Sequence, residues 1–152
     1  MRLDLTVTGL WTQLRKAFFD TTVIYPQALS YNAKSIPAVL KIGEQKKNRQ
    51  YKERCIKVEN ADFSPLVFTT NGAMGPRAIF VMKRLCEIVA DKTNHSLSQV
   101  VNHFRCRLSF ALLRSSLICL RGTRSTNIIL SMMKMTLTTL FIVSMSAVYK
   151  CH

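Results

Sequence analysis

Residues 17–25, AFFDTTVIY, are dense in aromatic and β-branched side chains, and one carboxylate, Asp20, interrupts them. That composition suits a pleated, buried strand. A carboxylate in such a place costs several kcal/mol unless a positive group lies against it, roughly the penalty for any buried ion. Whatever this chain folds into must therefore bring a metal ion or a basic side chain to Asp20. Pro26 closes the strand, because proline removes a ladder donor. Upstream, residues 3–10 set Leu3, Leu5 and Val7 against Asp4, Thr6 and Thr8, the period-two pattern of a second strand that decays at Gly9. The short stretch between them makes an antiparallel hairpin the economical connection.

After the hairpin, residues 28–40 mix Asn, Ser and Pro and read as a loop, and the helix-forming run GEQKKNRQYKERCIKVEN follows from Gly43 as a polar, strongly basic helix. SPLVFTT, residues 64–70, reads as a buried strand ended by Asn71-Gly72, which with Gly75-Pro76 forms a turn into a helix at Arg77. In that helix Ile79, Met82, Leu85, Ile88 and Val89 make the apolar face. A further helix over 96–120 buries Val100, Val101, Phe104, Leu108, Ala111 and Leu112, and Cys106 and Cys119 read as core. The order strand, strand, helix, strand, helix, helix is α+β (or α/β), with a small mixed sheet, a basic helix and C-terminal helices.

Size and charge bound the function. At 152 residues the chain supports one domain, expected over 1–125, with residues 126–152 as a hydrophobic tail. Within it, residues 126–149 have no acid and one lysine, Lys134, and are near the length of a membrane span; a transmembrane segment, an extra packed helix and a non-native tail are all open. Lys and Arg number 22 against 8 Asp and Glu, a formal charge of +14 that suits nucleic acid or an anionic membrane. All eight acids precede residue 92. The five cysteines are widely spaced, and the start MRLDL lacks an apolar leader, so reduced thiols in an intracellular protein are expected; His103 and Cys106 lack a second pair at zinc spacing.

Asp4 and Asp20 fall on adjacent strands of the hairpin, where side chains on one face lie about 5 Å apart. Two carboxylates at that distance suit a hard ion, Mg²⁺ or Mn²⁺, which keeps several waters and activates one for attack on a phosphodiester. Lys47 and Tyr51, four apart, share a helix face and would reach the same place, the lysine to the water or the developing charge, the tyrosine to a phosphate oxygen. Lys46, Arg49, Lys52 and Arg54 offer a nucleic-acid-binding surface. The plainer alternatives are Asp20 paired with Arg2 or Arg15, Asp4 exposed on an edge strand, and the lysines on a solvated helix face. Trp11 packs on the sheet edge or stacks on a base, and His95 and His103 have surface or helix-cap roles.

The series LDLTV, FFDTTV, EQKKNRQY and FSPLVFTTNGAMG resembles the restriction-like endonuclease module encoded downstream of reverse transcriptase in some non-LTR retrotransposons, part of the PD-(D/E)XK nuclease superfamily. The resemblance covers about residues 2–125. It implies a restriction-endonuclease-like fold in which Asp4 and Asp20 are the metal carboxylates. Lys47 is then the catalytic lysine, moved from the strand, where Thr22 stands, onto the helix, and Tyr51 is the tyrosine that follows it. It further implies DNA nicking at a target site, RNA as a partner within a retroelement complex, and a nuclear location. A chain that starts at the first strand, without the superfamily's leading helix, is expected to be an N-terminally truncated fragment. The alternatives in other classes are a non-catalytic nucleic-acid-binding remnant of the same fold and a membrane-associated protein anchored by residues 128–148.

Overall fold

The computed structural model describes residues 4–31 and 33–120, and the side chains of 115 and 118–120 are not among those described. The chain divides into two compact units, the first ending at Val81 and the second starting at Met82.

The first unit is built on a three-stranded mixed sheet in the order β1 (Leu5–Thr8), β2 (Lys16–Ile24), β3 (Asp62–Thr69). β1 pairs antiparallel with β2, Leu5 opposite Phe19 and Val7 opposite Ala17, which is the expected hairpin. β2 pairs in parallel with β3, Asp20 opposite Pro65 and Ile24 opposite Thr69. Parallel neighbours need a long crossover. Here it is one helical run: α1 (Ile36–Lys47), a π turn (Asn48–Lys52) and α2 (Glu53–Lys57). The helix thus begins at Ile36, well before Gly43. Pro37 lies in its first turn, where a missing N–H removes no intrahelical bond, and so does not mark a loop.

Alternation along β2 puts Phe18, Asp20, Thr22 and Ile24 on the face that the crossover helix covers. Two apolar clusters form there. Ile24 meets Val39, Leu40 and Val67, and Phe18 meets Cys55, Ala61 and Phe63, with Tyr51 packed against them. On the helix, Gly43, Lys47, Tyr51 and Cys55 recur every fourth residue. In a regular α-helix each such step overshoots one turn by about 40°, so the stripe would wind away from the sheet. The wider π turn takes back part of that drift and returns Cys55 to full burial. Gly43 is required by close approach: a Cβ there would lie 2.7 Å from Ile24 Cδ1 and 3.0 Å from Val67 Cγ1.

A helix, α3 (Pro76–Thr93), starts after the Asn71-Gly72 turn, with Gly72 at φ +90° and Thr69 Oγ1 accepting from Ala73 N–H at 3.0 Å. Its first turn is tied to the sheet unit twice. Glu44 Oε1 of α1 accepts the Arg77 N–H at 2.9 Å, a carboxylate cap from a distant helix, and Arg77 Nε donates to Ser64 Oγ at 3.1 Å. Trp11, in the β1–β2 connection, stacks on Phe80 with ring centroids 5.1 Å apart, under the Arg77 guanidinium. Trp11 therefore packs on a helix side chain.

The second unit holds the rest of α3 and α4 (Leu97–Leu120). Asn94, at φ +54°, ends α3, and the Nδ1–H of His95 donates to Thr93 O at 2.8 Å. A capping box opens α4: Gln99 N–H donates to Ser96 Oγ and Ser96 N–H to Gln99 Oε1. The buried face of α3 runs through Ala78, Val81, Met82, Leu85, Cys86, Val89 and Ala90, so Ile79 is exposed rather than core. On α4, Val100, Phe104, Leu108, Ala111 and Leu112 are buried, and Val101 is half-buried. Cys106 is exposed, because it lies on the side of the helix opposite Phe104 and Leu108. Cys119 and the expected tail over 126–152 fall outside the described residues and side chains.

Candidate active site

Between the two apolar clusters on the covered face of the sheet lies one polar inclusion. Asp20, 5 % exposed at the centre of β2, receives the Lys47 ammonium, with Nζ 2.6 Å from Oδ2. Lys47 ends α1, and the i+4 stripe that aims Tyr51 and Cys55 at the sheet aims Lys47 there too. Of the two arginines of the plainer reading, Arg15 pairs with Asp62 at 3.3 Å, and Arg2 lies outside the described residues.

Tyr51 stands over the pair. The Lys47 Nζ is 5.6 Å from its ring centroid, a cation–π distance, and its other side packs on Phe63 at 5.8 Å between centroids. The ring packs against the Phe18 cluster, and Tyr51 is half-buried.

Asp4 precedes β1 and is half-buried. It grips β2 on both sides of Asp20: its N–H donates to Phe19 O at 3.2 Å, and its Oδ2 accepts the Thr21 N–H at 2.9 Å. The carboxylate thus takes the place of a ladder acceptor, at the point where β1 begins. Of the four residues expected at the centre, Asp20, Lys47 and Tyr51 contact one another in sequence, and Asp4 is anchored to the backbone beside them. Among the described residues no group of three or more His, Cys, Asp or Glu side chains gathers to hold a metal. Asp4 and Asp20 are the carboxylates that would be the oxygen donors for a hard divalent ion, which keeps most of its water.

Lys46, Arg49, Lys52 and Arg54 are exposed on the outer side of the same helical run. Lys46 and Arg49 line a shallow hollow with Ile42, Gln45 and Gln50; Arg49 and Lys52 line a second one that reaches Ile56 and Lys57. Arg54 lines neither. Burial pushes the Cys55 thiol up from its ordinary value, with the charge of Glu59 adding to the effect and Arg54 opposing it, so Cys55 is a packing residue rather than a nucleophile.

Sequence reasoning missed Glu44, which links α1 to the start of α3. Its only signal was the first acid of a basic helix, followed 31 residues later by the small Gly75, where a Cβ would lie 2.5 Å from Glu44 Oε1. No family model matches the chain, and no curated protein or solved structure matches it.

Proposed function

We propose that the sheet face around Asp20 is a divalent-metal-dependent phosphodiesterase centre that nicks DNA, of the restriction-endonuclease-like kind carried by non-LTR retrotransposon polyproteins. The observation that supports it most is the meeting of Lys47 with Asp20, a crossover-helix lysine inserted among apolar residues to reach a strand carboxylate. Asp4 and Asp20 are the residues that would hold Mg²⁺ or Mn²⁺. The ion, when bound, supplies the positive charge that polarises a phosphodiester oxygen.

The chain's own residues supply the rest. Lys47, whose ammonium lies against Asp20, is a three-proton donor on a flexible stem and can turn from Asp20 to charge developing on phosphate. The Tyr51 hydroxyl donates to a phosphate oxygen, held in place by its ring's packing on Phe63. Lys46, Arg49, Lys52 and Arg54 neutralise backbone phosphates of the DNA, and in a retroelement complex of RNA also, with each phosphate contact adding about 0.9 to the slope of log affinity against log salt for duplex DNA.

Purified chain should nick supercoiled plasmid in Mg²⁺ or Mn²⁺ and not in EDTA. Asp20→Asn, which keeps the size and removes the charge, should abolish nicking; full nicking by that variant would sink the proposal. One observation favours a second reading, a non-catalytic nucleic-acid binder of the same fold: an oxygen of each carboxylate is already engaged by the protein, Asp20 in the ion pair with Lys47 and Asp4 by the Thr21 N–H. That reading expects salt-sensitive DNA binding without cleavage, unchanged in Asp20→Asn. The membrane-anchored alternative rests on residues 128–148, outside the described residues; among the described residues no helix is long and apolar enough to cross a membrane.

A further inference from the structure

α4 has two apolar sides. Val100, Phe104, Leu108, Ala111 and Leu112 are buried. On the opposite side Phe110, Leu113 and Leu117 are 68 %, 61 % and 53 % exposed, and Cys106 continues the same line toward the N-terminus. The spacing 106, 110, 113, 117 is one helical stripe, about 16 Å long at 1.5 Å per residue. Solitary exposed apolar residues need no explanation, but a continuous stripe of this length marks a contact surface.

Charge selects the occupant. α4 carries Arg105, Arg107 and Arg114, all exposed, and no acid. Arg107 and Arg114 are seven residues apart and therefore lie on one flank of the stripe, where long basic side chains beside an apolar strip can reach headgroup phosphates while the strip enters the acyl boundary. The sequence that follows, residues 121–152, adds Arg121, Arg124, Lys134 and Lys150, again without a carboxylate. A second copy of this helix would set arginine against arginine. A nucleic-acid backbone would meet the arginines but offers nothing to the stripe.

We infer that the Cys106–Leu117 face of α4 docks in the plane of an anionic lipid bilayer. It lies on the surface and does not span it, consistent with the absence of a crossing helix among the described residues. The inference is independent of the proposed nuclease centre, which is in the other unit.

Co-sedimentation of the full chain with vesicles tests it. Phosphatidylserine-containing vesicles should bind the chain at least about tenfold more tightly than pure phosphatidylcholine, since each basic residue near an anionic surface adds attraction. The variant Phe110→Ser with Leu113→Ser and Leu117→Ser should lose binding about tenfold or more through the lost transfer of apolar area, with unchanged far-ultraviolet circular dichroism because these side chains are exposed. A second variant, Arg107→Gln with Arg114→Gln, keeps the stripe and should lose the preference for phosphatidylserine. Equal binding to neutral vesicles, or undiminished binding by both variants, would overturn the inference. So would sedimentation equilibrium showing self-association of the parent chain that the serine variant abolishes, because the stripe would then belong to a second copy. DNA nicking or DNA binding should not change in either variant.

Discussion

The Asp20–Lys47 pair makes a sharp prediction because its cost and its gain are both large. At 2.6 Å the gross attraction, taken with an effective dielectric near 20, is about 6 kcal/mol. Against it stands the desolvation of two ions, several kcal/mol each, in a region where the side chains are 7 % and 20 % exposed. The two nearly cancel, so the pair as a whole contributes little to stability although either member alone is a burden. Lys47→Met, similar in length and apolar, takes the ammonium away from the buried Asp20 carboxylate and should cost about 3–5 kcal/mol. Asp20→Leu leaves the lysine, whose longer stem lets the ammonium reach water, and should cost less, about 1–3 kcal/mol. The double variant removes both charges and should come within about 1 kcal/mol of the parent, or exceed it. Urea denaturation of all four chains, monitored by Trp11 fluorescence and by circular dichroism, measures the coupling directly. Additive losses, or a cost below about 1 kcal/mol for Lys47→Met, would show that the pair is solvated and that the buried inclusion described above is wrong. If the double variant is as stable as the parent yet fails to nick DNA, the loss of activity cannot be a loss of fold.

Other outcomes follow from neighbouring residues. Gly43→Ala should destabilise by about 1–3 kcal/mol, because its methyl would lie 2.7 Å from Ile24 and 3.0 Å from Val67 where helix and sheet already touch; chemical denaturation reads this. Glu44→Ala removes the cap on Arg77 N–H and should cost about 1 kcal/mol in the same measurement, with faster amide exchange at Arg77. Tyr51→Phe keeps the ring on Phe63 and should change stability by less than about 1 kcal/mol while slowing nicking; equal rates would remove the hydroxyl from the mechanism. Burial raises the thiols of Cys55 and Cys86 in the folded chain, so folded protein holds these protons longer than unfolded chain does, and stability should fall as pH climbs above the unfolded thiol value of about 8.5. Cys55→Ala with Cys86→Ala should flatten that part of the stability profile.

The parts of the fold that were legible in the sequence are those in which one local rule dominates. Period-two alternation gave the hairpin and its register face, and the demand for a partner at Asp20 was met by Lys47, one of the residues proposed to reach it. The mixed sheet was expected, but which strand the third one pairs with was not; the long helical crossover accounts for its parallel pairing with β2. The helix start was misplaced because Pro37 was read as a breaker when its position in the first turn makes it neutral. The buried face of α3 was turned by about one residue because Ala78 and Cys86, small and easily passed over, carry more of the packing than Ile79. The Glu44–Arg77 link spans 33 residues and obeys no local periodicity, so only the folded chain could reveal it.

The placement of the polar inclusion argues about function in its own right. Gly43, Lys47, Tyr51 and Cys55 form a stripe in which three members serve close packing, and an apolar residue in place of Lys47, with its match at Asp20, would join the two flanking clusters into one core. On energetic grounds that exchange is neutral or favourable. The chain instead keeps a charged pair at the centre of its crossover, uses a π turn just beyond it, and positions the Tyr51 ring over it by packing on Phe63. π turns occur often at functional sites, and here the turn sets the tyrosine beside the lysine while it preserves the seal of Cys55 below. The turn and the tyrosine also serve the packing of Cys55 and Phe63, so a structural ion pair accounts for them as well. A phosphate-directed centre needs a movable cation, a hydroxyl donor and carboxylates within one reach, and a stable but inactive Asp20→Leu, Lys47→Met chain is the result that separates the two.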